Sequence, residues 1–366
     1  ITRDGFSAEN ILRNISLIEP RFSFIENDTL IFFDEIQDFP EIATCFKSFA
    51  QQGKYDIISS GSLLGIQLKR IESISVGFQE TATMHSLDFE EFLTARGYSA
   101  SQLDELYGHL LEGRAFGEAA NTSLDRLFLD FSTLGGMPEV VSSFVRENNF
   151  GIAYDTQTKI VDANLDDIAR YAAKADKPKI RACYLSLPEQ LARENRKFKY
   201  SAVASGGSAR KFSNSIDWLR ESALSIQCFN TTETHVPLSV YKTGDAFKMY
   251  LTDVGILTAM MGFRAKKDIL DNTLVGFAKG GLYENAIAQQ LVSRGYTPYY
   301  YQKSAQLGEI DFLIEHDSGI VPVEVKAGRN TSSSFDTMLR RDDVKFGYKF
   351  ITGNVGVAGK KITLPH

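Results

Sequence analysis

Two carboxylates and a lysine in the last quarter of the chain have the types and spacing for chemistry on phosphate esters. Gly308-Glu309-Ile310-Asp311-Phe312 puts an acid at the start of an apolar run, and Pro322-Val323-Glu324-Val325-Lys326 closes the next run with acid-x-lysine. Asp311 and Glu324 lie thirteen positions apart, enough for a hairpin over His316-Asp317-Ser318-Gly319. If those strands pair, both carboxylates and the lysine converge on one edge. Two carboxylates can hold a divalent cation through oxygen, and a lysine beside them can orient a water and offset charge on a phosphate. A second acid pair, Asp34-Glu35, ends the apolar run Thr29-Leu30-Ile31-Phe32-Phe33 near the other end of the chain.

The elements that must position these residues follow from pattern. Thr29–Phe33 reads as a fully buried parallel strand with its acids at the C-terminal end, where open α/β sheets bind ligands. Phe39-Pro40-Glu41 opens a helix that reaches about Gln52 and stops at Gly53. Tyr55–Ser59 is a second strand with Ser60-Gly61-Ser62 at its tip, which completes a βαβ unit. Residues 101–195 carry helical spacing, as in Leu103, Leu106, Leu110 and then Leu124, Leu127, Phe128, Phe131. From about 180 to 241 the order is helix, turn, helix over Ser208–Leu219, then strands at Ile226–Phe229 and Leu238–Tyr241, which is the order of a winged helix-turn-helix. Six basic residues against one acid between Arg193 and Lys211 suit phosphate contacts, with Arg196, Lys197, Lys199, Arg210 and Lys211 as candidates. The rear follows as helix, three strands, helix, strand, its first helix holding Gly280-Gly281-Leu282-Tyr283-Glu284-Asn285 and its last strand Tyr348–Thr352.

Composition sets the bounds. A chain of 366 residues, 43% hydrophobic and 23% charged, holds two or three soluble domains. No apolar run approaches a membrane span, so no membrane partner is expected. Cys45, Cys183 and Cys228 are odd in number and far apart, which fits a reducing cytoplasm better than a disulfide framework. Five scattered histidines argue against zinc. The start at Ile1 shows neither an initiating Met nor a signal pattern, as expected of an incomplete N-terminus. Residues 1–133 carry 10 Lys and Arg against 21 Asp and Glu, so only the remainder is electrostatically suited to a polyanion.

The rear motif set resembles the core of the PD-(D/E)xK nuclease superfamily. That resemblance implies Asp311 and Glu324 as metal ligands, Lys326 as the catalytic lysine and Glu284 as an accessory acid, with Glu309 at the surface or as an outer partner. Four apolar residues followed by Asp34-Glu35 match the Walker B pattern of P-loop ATPases, which implies Mg²⁺ held by Asp34 and the attacking water polarised by Glu35, with Ser60 or Ser62 sensing the γ-phosphate. Phe33–Gln37, Ser60–Leu64 and Leu87–Leu93, then Gly135-Gly136-Met137-Pro138-Glu139, Tyr250–Gly255 and Tyr283-Glu284-Asn285, look like an AAA-type ATP-binding protein family of bacteria and archaea with a C-terminal domain of unknown function. The Walker A loop, GxxxxGK[ST], does not occur in these 366 residues, so the chain alone is expected to bind ATP poorly.

The fold expected is multidomain α/β: a truncated P-loop ATPase core over 1–100, a helical region over 101–179, a winged-helix-like domain over 180–265 and a restriction-endonuclease-like domain over 266–366. The function expected is an ATP- and Mg²⁺-dependent hydrolase acting on nucleic acid, with DNA as partner and homo-oligomerisation left open. The alternative is an ATP-dependent switch or scaffold whose nuclease-like domain recognises a partner without cutting.

Overall fold

The computed structural model describes residues 5–61, 80–304, 308–328 and 332–366. The described chain forms two compact units, the first within residues 1–84 and the second built from residues 85–220 and 224–366. Ser62 lies outside the described residues.

In the first unit, α1 (Ala8–Ile18) and α2 (Phe46–Gln52) pack on the parallel strands β1 (Leu30–Phe33) and β2 (Asp56–Ser59). Ser7 caps α1 by accepting from the backbone N–H of Asn10, and Gly53 stops α2 in the left-handed region at φ 61°. The core is Ala8, Ile11, Ile31, Ile36, Ile42, Cys45 and Phe49. The expectation of a strand buried on both faces is corrected here. Ile31 is buried, but Leu30 and Phe32 are 52% and 54% exposed, because within this unit the helices cover one face of the strand pair. The stretch before α2 is also tighter than expected, a 3₁₀ turn over Pro40–Cys45.

The second unit opens with helices α3 (Phe89–Ala95), α4 (Ala100–Glu112), α5 (Glu118–Leu134), α6 (Pro138–Glu147), α7 (Phe150–Tyr171) and α8 (Lys177–Leu191). Short α9 (Tyr200–Val203) and α10 (Ala209–Glu221) follow, then the antiparallel hairpin β3 (Ser225–Thr231) and β4 (Lys242–Leu251). Next come α11 (Val254–Met261), α12 (Phe263–Leu270), α13 (Gly276–Ser293), β5 (Tyr299–Tyr301), β6 (Ile310–His316), β7 (Gly319–Lys326), α14 (Ser333–Leu339), β8 (Gly347–Ile351), β9 (Gly356–Ala358) and β10 (Lys361–Pro365). The expected helix, three strands, helix, strand order is present from α13 to β8.

The winged-helix expectation rests on the hairpin that follows α10. Its strand β3 also pairs in parallel with β5, and one sheet runs in the order β4-β3-β5-β6-β7-β8-β10-β9. Leu238–Tyr241, expected as a strand, is a 3₁₀ turn whose first N–H donates to Glu315 Oε1 at 2.6 Å rather than to a ladder. One continuous core links Phe131 and Leu134 of α5, Tyr184 of α8, Met249 of β4, Ala286 of α13 and Val323 of β7. The expected divisions after residues 100, 179 and 265 all fall inside this unit.

Candidate functional sites

At the front, parallel register pairs Phe33 with Ser59, so Asp34-Glu35 and Ser60 leave adjacent strand ends together. The backbone extends that pairing, with Ser60 N–H donating to Phe33 O at 2.9 Å and Ile36 N–H to Ser60 O at 3.0 Å. The Ser60 hydroxyl donates to Asp34 Oδ1, which also accepts from Glu35 N–H at 3.1 Å. Glu35 sits at φ 52°, a left-handed conformation that a non-glycine residue holds only when its surroundings fix it. Its carboxylate accepts from the Gln37 amide. Asp34 and Glu35 are both exposed and so open to a ligand.

At the rear, β6 and β7 pair antiparallel with Phe312 opposite Val323, and the hairpin turns where the sequence placed it. Asp311 precedes Phe312 and Glu324 follows Val323, and the two are 5% and 1% exposed. Asp311 Oδ2 accepts from Val325 N–H at 2.8 Å and lies 3.5 Å from Lys326 Nζ. Glu324 Oε1 lies 2.5 Å from Lys326 Nζ and accepts from the Ser332 hydroxyl at 2.6 Å. Glu324 Oε2 is buried without a hydrogen-bond partner. The three sequence-predicted residues therefore converge.

Glu284 arrives on α13. That helix comes close to its neighbours because Gly280 and Gly281 carry no side chain: a Cβ on Gly281 would stand 2.1 Å from Leu191 O, and one on Gly280 would stand 2.2 Å from Arg196 Nη2. Arg196 thereby reaches Glu284 Oε1 at 2.6 Å. Glu284 Oε2 accepts from Tyr250 Oη at 3.0 Å and from Lys248 Nζ at 3.3 Å. Lys248, on β4, is 1% exposed and also meets Glu309 Oε1 at 2.6 Å, with Asp311 Oδ1 at 4.0 Å. Glu309 is thus an outer partner of the cluster rather than a free surface acid.

Two of the residues expected to face nucleic acid, Arg196 and Lys197, take part in this cluster. The Arg196 side chain is 15% exposed and committed to Glu284, and Lys197 donates to Gln302 and stands 4.0 Å from Glu309. Lys199, Arg210 and Lys211 remain at the surface. Lys248 escaped the sequence reading. The signal available was a lysine inside the otherwise apolar run Ala246-Phe247-Lys248-Met249-Tyr250-Leu251.

The electrostatics separate the two carboxylates. Burial pushes Asp311 up, but Lys326, Lys248 and the Val325 N–H together hold it below the ordinary aspartate range. Burial and then the Asp311 charge push Glu324 up to about 7, against the pull of Lys326. Burial also raises Glu284, more than Lys248 and Arg196 pull it back. Burial opposes the charge on Lys326, yet Asp311 and Glu324 overcome it and hold the ammonium above its usual range. One carboxylate carries the charge while its neighbour shares a proton near neutrality, a division that suits acid–base work.

Among the described residues, no three of His, Cys, Asp and Glu are grouped to hold a metal ion by themselves. Asp311 and the unpartnered Glu324 oxygen do suit a magnesium-type site, which takes one or two carboxylates and completes its shell with water and phosphate oxygens.

Comparison with known proteins assigns the segments in succession. Residues 3–93 match the family model of an AAA domain. The front of the chain is similar to AAA-type P-loop ATPases. Behind this segment, residues 125–267 match a domain of unknown function (DUF8612) and residues 279–363 another (DUF4143). The Walker-type ATPase PABY2304 of Pyrococcus abyssi is a structural neighbour at 12% identity and a TM-score of 0.38, a likeness too low to carry an argument. The match covers 63% of this chain and 63% of that one. No curated protein matches the chain. Among the described residues, no helix is long and apolar enough to cross a membrane.

Proposed function

We propose that the protein is an AAA-type ATPase whose C-terminal unit acts on nucleic acid. The observation that carries the reading is the meeting of Asp34, Glu35 and Ser60 at adjacent ends of two parallel strands, inside the segment that matches an AAA domain. In this reading Asp34 holds the magnesium of Mg–ATP, which offsets charge on the phosphates, and Glu35 orients the attacking water. Ser60, already hydrogen-bonded to Asp34, senses whether the terminal phosphate is present. At the rear, Asp311 and Glu324 would hold a divalent cation, which when bound would offset charge on a phosphate ester, and Lys326 would position the water.

The test of the front site uses protein expressed from its complete coding sequence. Glu35→Gln should lower ATP turnover by roughly 100-fold, the usual worth of a positioned base, and leave ATP binding intact. Turnover at the wild-type rate would sink the assignment.

A second reading, recognition without cutting, is favoured by one observation: Lys248 and Arg196 already occupy the Glu284 side of the carboxylates. Single-stranded, duplex and branched DNA incubated with Mg²⁺ or Mn²⁺ separate the two. The first reading expects product with the wild type and none with Lys326→Ala. Salt-sensitive binding without product in both proteins would establish the second.

A further inference from the structure

Four carboxylates, those of Glu284, Glu309, Asp311 and Glu324, gather beside the β5–β6–β7 strands, and three of them are at least 95% buried. Carboxylates drawn together out of water need a counter-charge within contact distance, and proteins supply it either as a bound metal or as a buried base. Here one base reaches three of the four. The Lys248 ammonium lies 2.6 Å from Glu309, 3.3 Å from Glu284 and 4.0 Å from Asp311, and stands 5.2 Å from the centre of the Tyr300 ring. The fold delivers it deliberately: β4 alternates Phe247 and Met249 on one face with Lys248 and Tyr250 on the other, and both polar tips of that second face end on Glu284.

We propose that Lys248 is a resident cation, which does for Glu284, Glu309 and the near oxygen of Asp311 what a divalent ion would otherwise do, so that this side of the cluster is organised without metal and only the Asp311–Glu324 side is left open to one. Arg196 supplies the second fixed charge from the far side of Glu284. This goes beyond the phosphate-ester reading, since it concerns how the carboxylates are held and stands whether or not the site cuts nucleic acid.

The test is thermal melting of the complete chain in EDTA and in excess Mn²⁺, with bound Mn²⁺ counted by electron paramagnetic resonance. The wild type should keep its melting midpoint in EDTA. Lys248→Met should melt about 10 °C lower in EDTA, as expected for buried carboxylates stripped of their partner. Mn²⁺ should restore most of that loss and fill a site additional to any in the wild type. A Lys248→Met protein that melts with the wild type in EDTA would overturn the proposal, and so would a loss that Mn²⁺ leaves unrepaired. If the single variant does not fold at all, Lys248→Met with Glu284→Gln removes one charge of each sign and should fold in EDTA without the additional Mn²⁺ site. A double variant that also fails to fold would show that the shape of Lys248 matters rather than its charge, and would overturn the proposal.

Discussion

Lys266 shows the opposite treatment of a buried ammonium. It is 1% exposed on α12 and donates to Phe150 O at 2.9 Å and Gln157 Oε1 at 3.0 Å, with the Tyr154 ring 5.2 Å away and, among the described residues, no carboxylate in a salt bridge with it. Burial therefore lowers it to about 8, against only a weak pull from Asp155. The folded pKa lies below the unfolded one, so between pH 8 and 10.5 the unfolded chain binds more protons and stability rises with pH. The rise contributed by this residue should be about 3 kcal/mol. Urea melts across that window should show it in the wild type, and the difference between wild type and Lys266→Met should trace it. A pH-independent difference would refute the assignment. Residues of this kind were not legible in the sequence. Asp311, Glu324 and Lys326 were, because a hairpin brings near neighbours together. Lys248 and Arg196 meet Glu284 from 36 and 88 positions away, and no local pattern records such an approach.

At the scale of elements, strands with strong local punctuation were readable: β6 and β7 around Asp317-Ser318, and β1 and β2 around the helix closed by Gly53. The elements that slipped are those decided by distant partners. Glu315 holds the N–H of Leu238 and so delays β4 until Lys242. Three sequence motifs that looked like signatures prove to be one joint. Asp253 caps α11 by accepting from Gly255 and Ile256, and its other oxygen accepts from Gly136 N–H at 2.7 Å. Asn285 receives Leu251 N–H at 2.8 Å, and Gln289 receives Val254 N–H at 2.9 Å. A Cβ on Gly255 would lie 2.1 Å from Leu134 O, so α11 can dock on the end of α5 only with glycine there. The joint fixes α13, and with it the height at which Glu284 enters the cluster.

On the scale of the whole molecule, the charge asymmetry read from composition divides at residue 133, inside the second unit and not at its border. The acidic front carries the exposed Asp34-Glu35 pair, and the second unit presents Lys199, Arg210 and Lys211 at its surface. The three buried cysteines are free thiols, in keeping with their odd number and wide spacing. The expected mixture of helix and sheet is present, while the joining of the rear strands into one sheet was not legible, because strand adjacency between β3 and β5 is a long-range pairing that sequence windows do not see.

That adjacency makes the second unit a natural two-piece assembly. The largely exposed stretch 271–275 lies between the two matched families, yet the sheet crosses the gap, with Lys248 on one side and its three neighbouring acids, Glu284, Glu309 and Asp311, on the other. Polypeptides 1–271 and 272–366 should therefore behave as complementing halves. Co-expressed, they should co-purify and melt as a single cooperative species; made separately, each should aggregate along its bared β3 or β5 edge. Either half alone giving a cooperative melt would contradict this. The second unit is then expected to move as one body and not to bend between its two matched families.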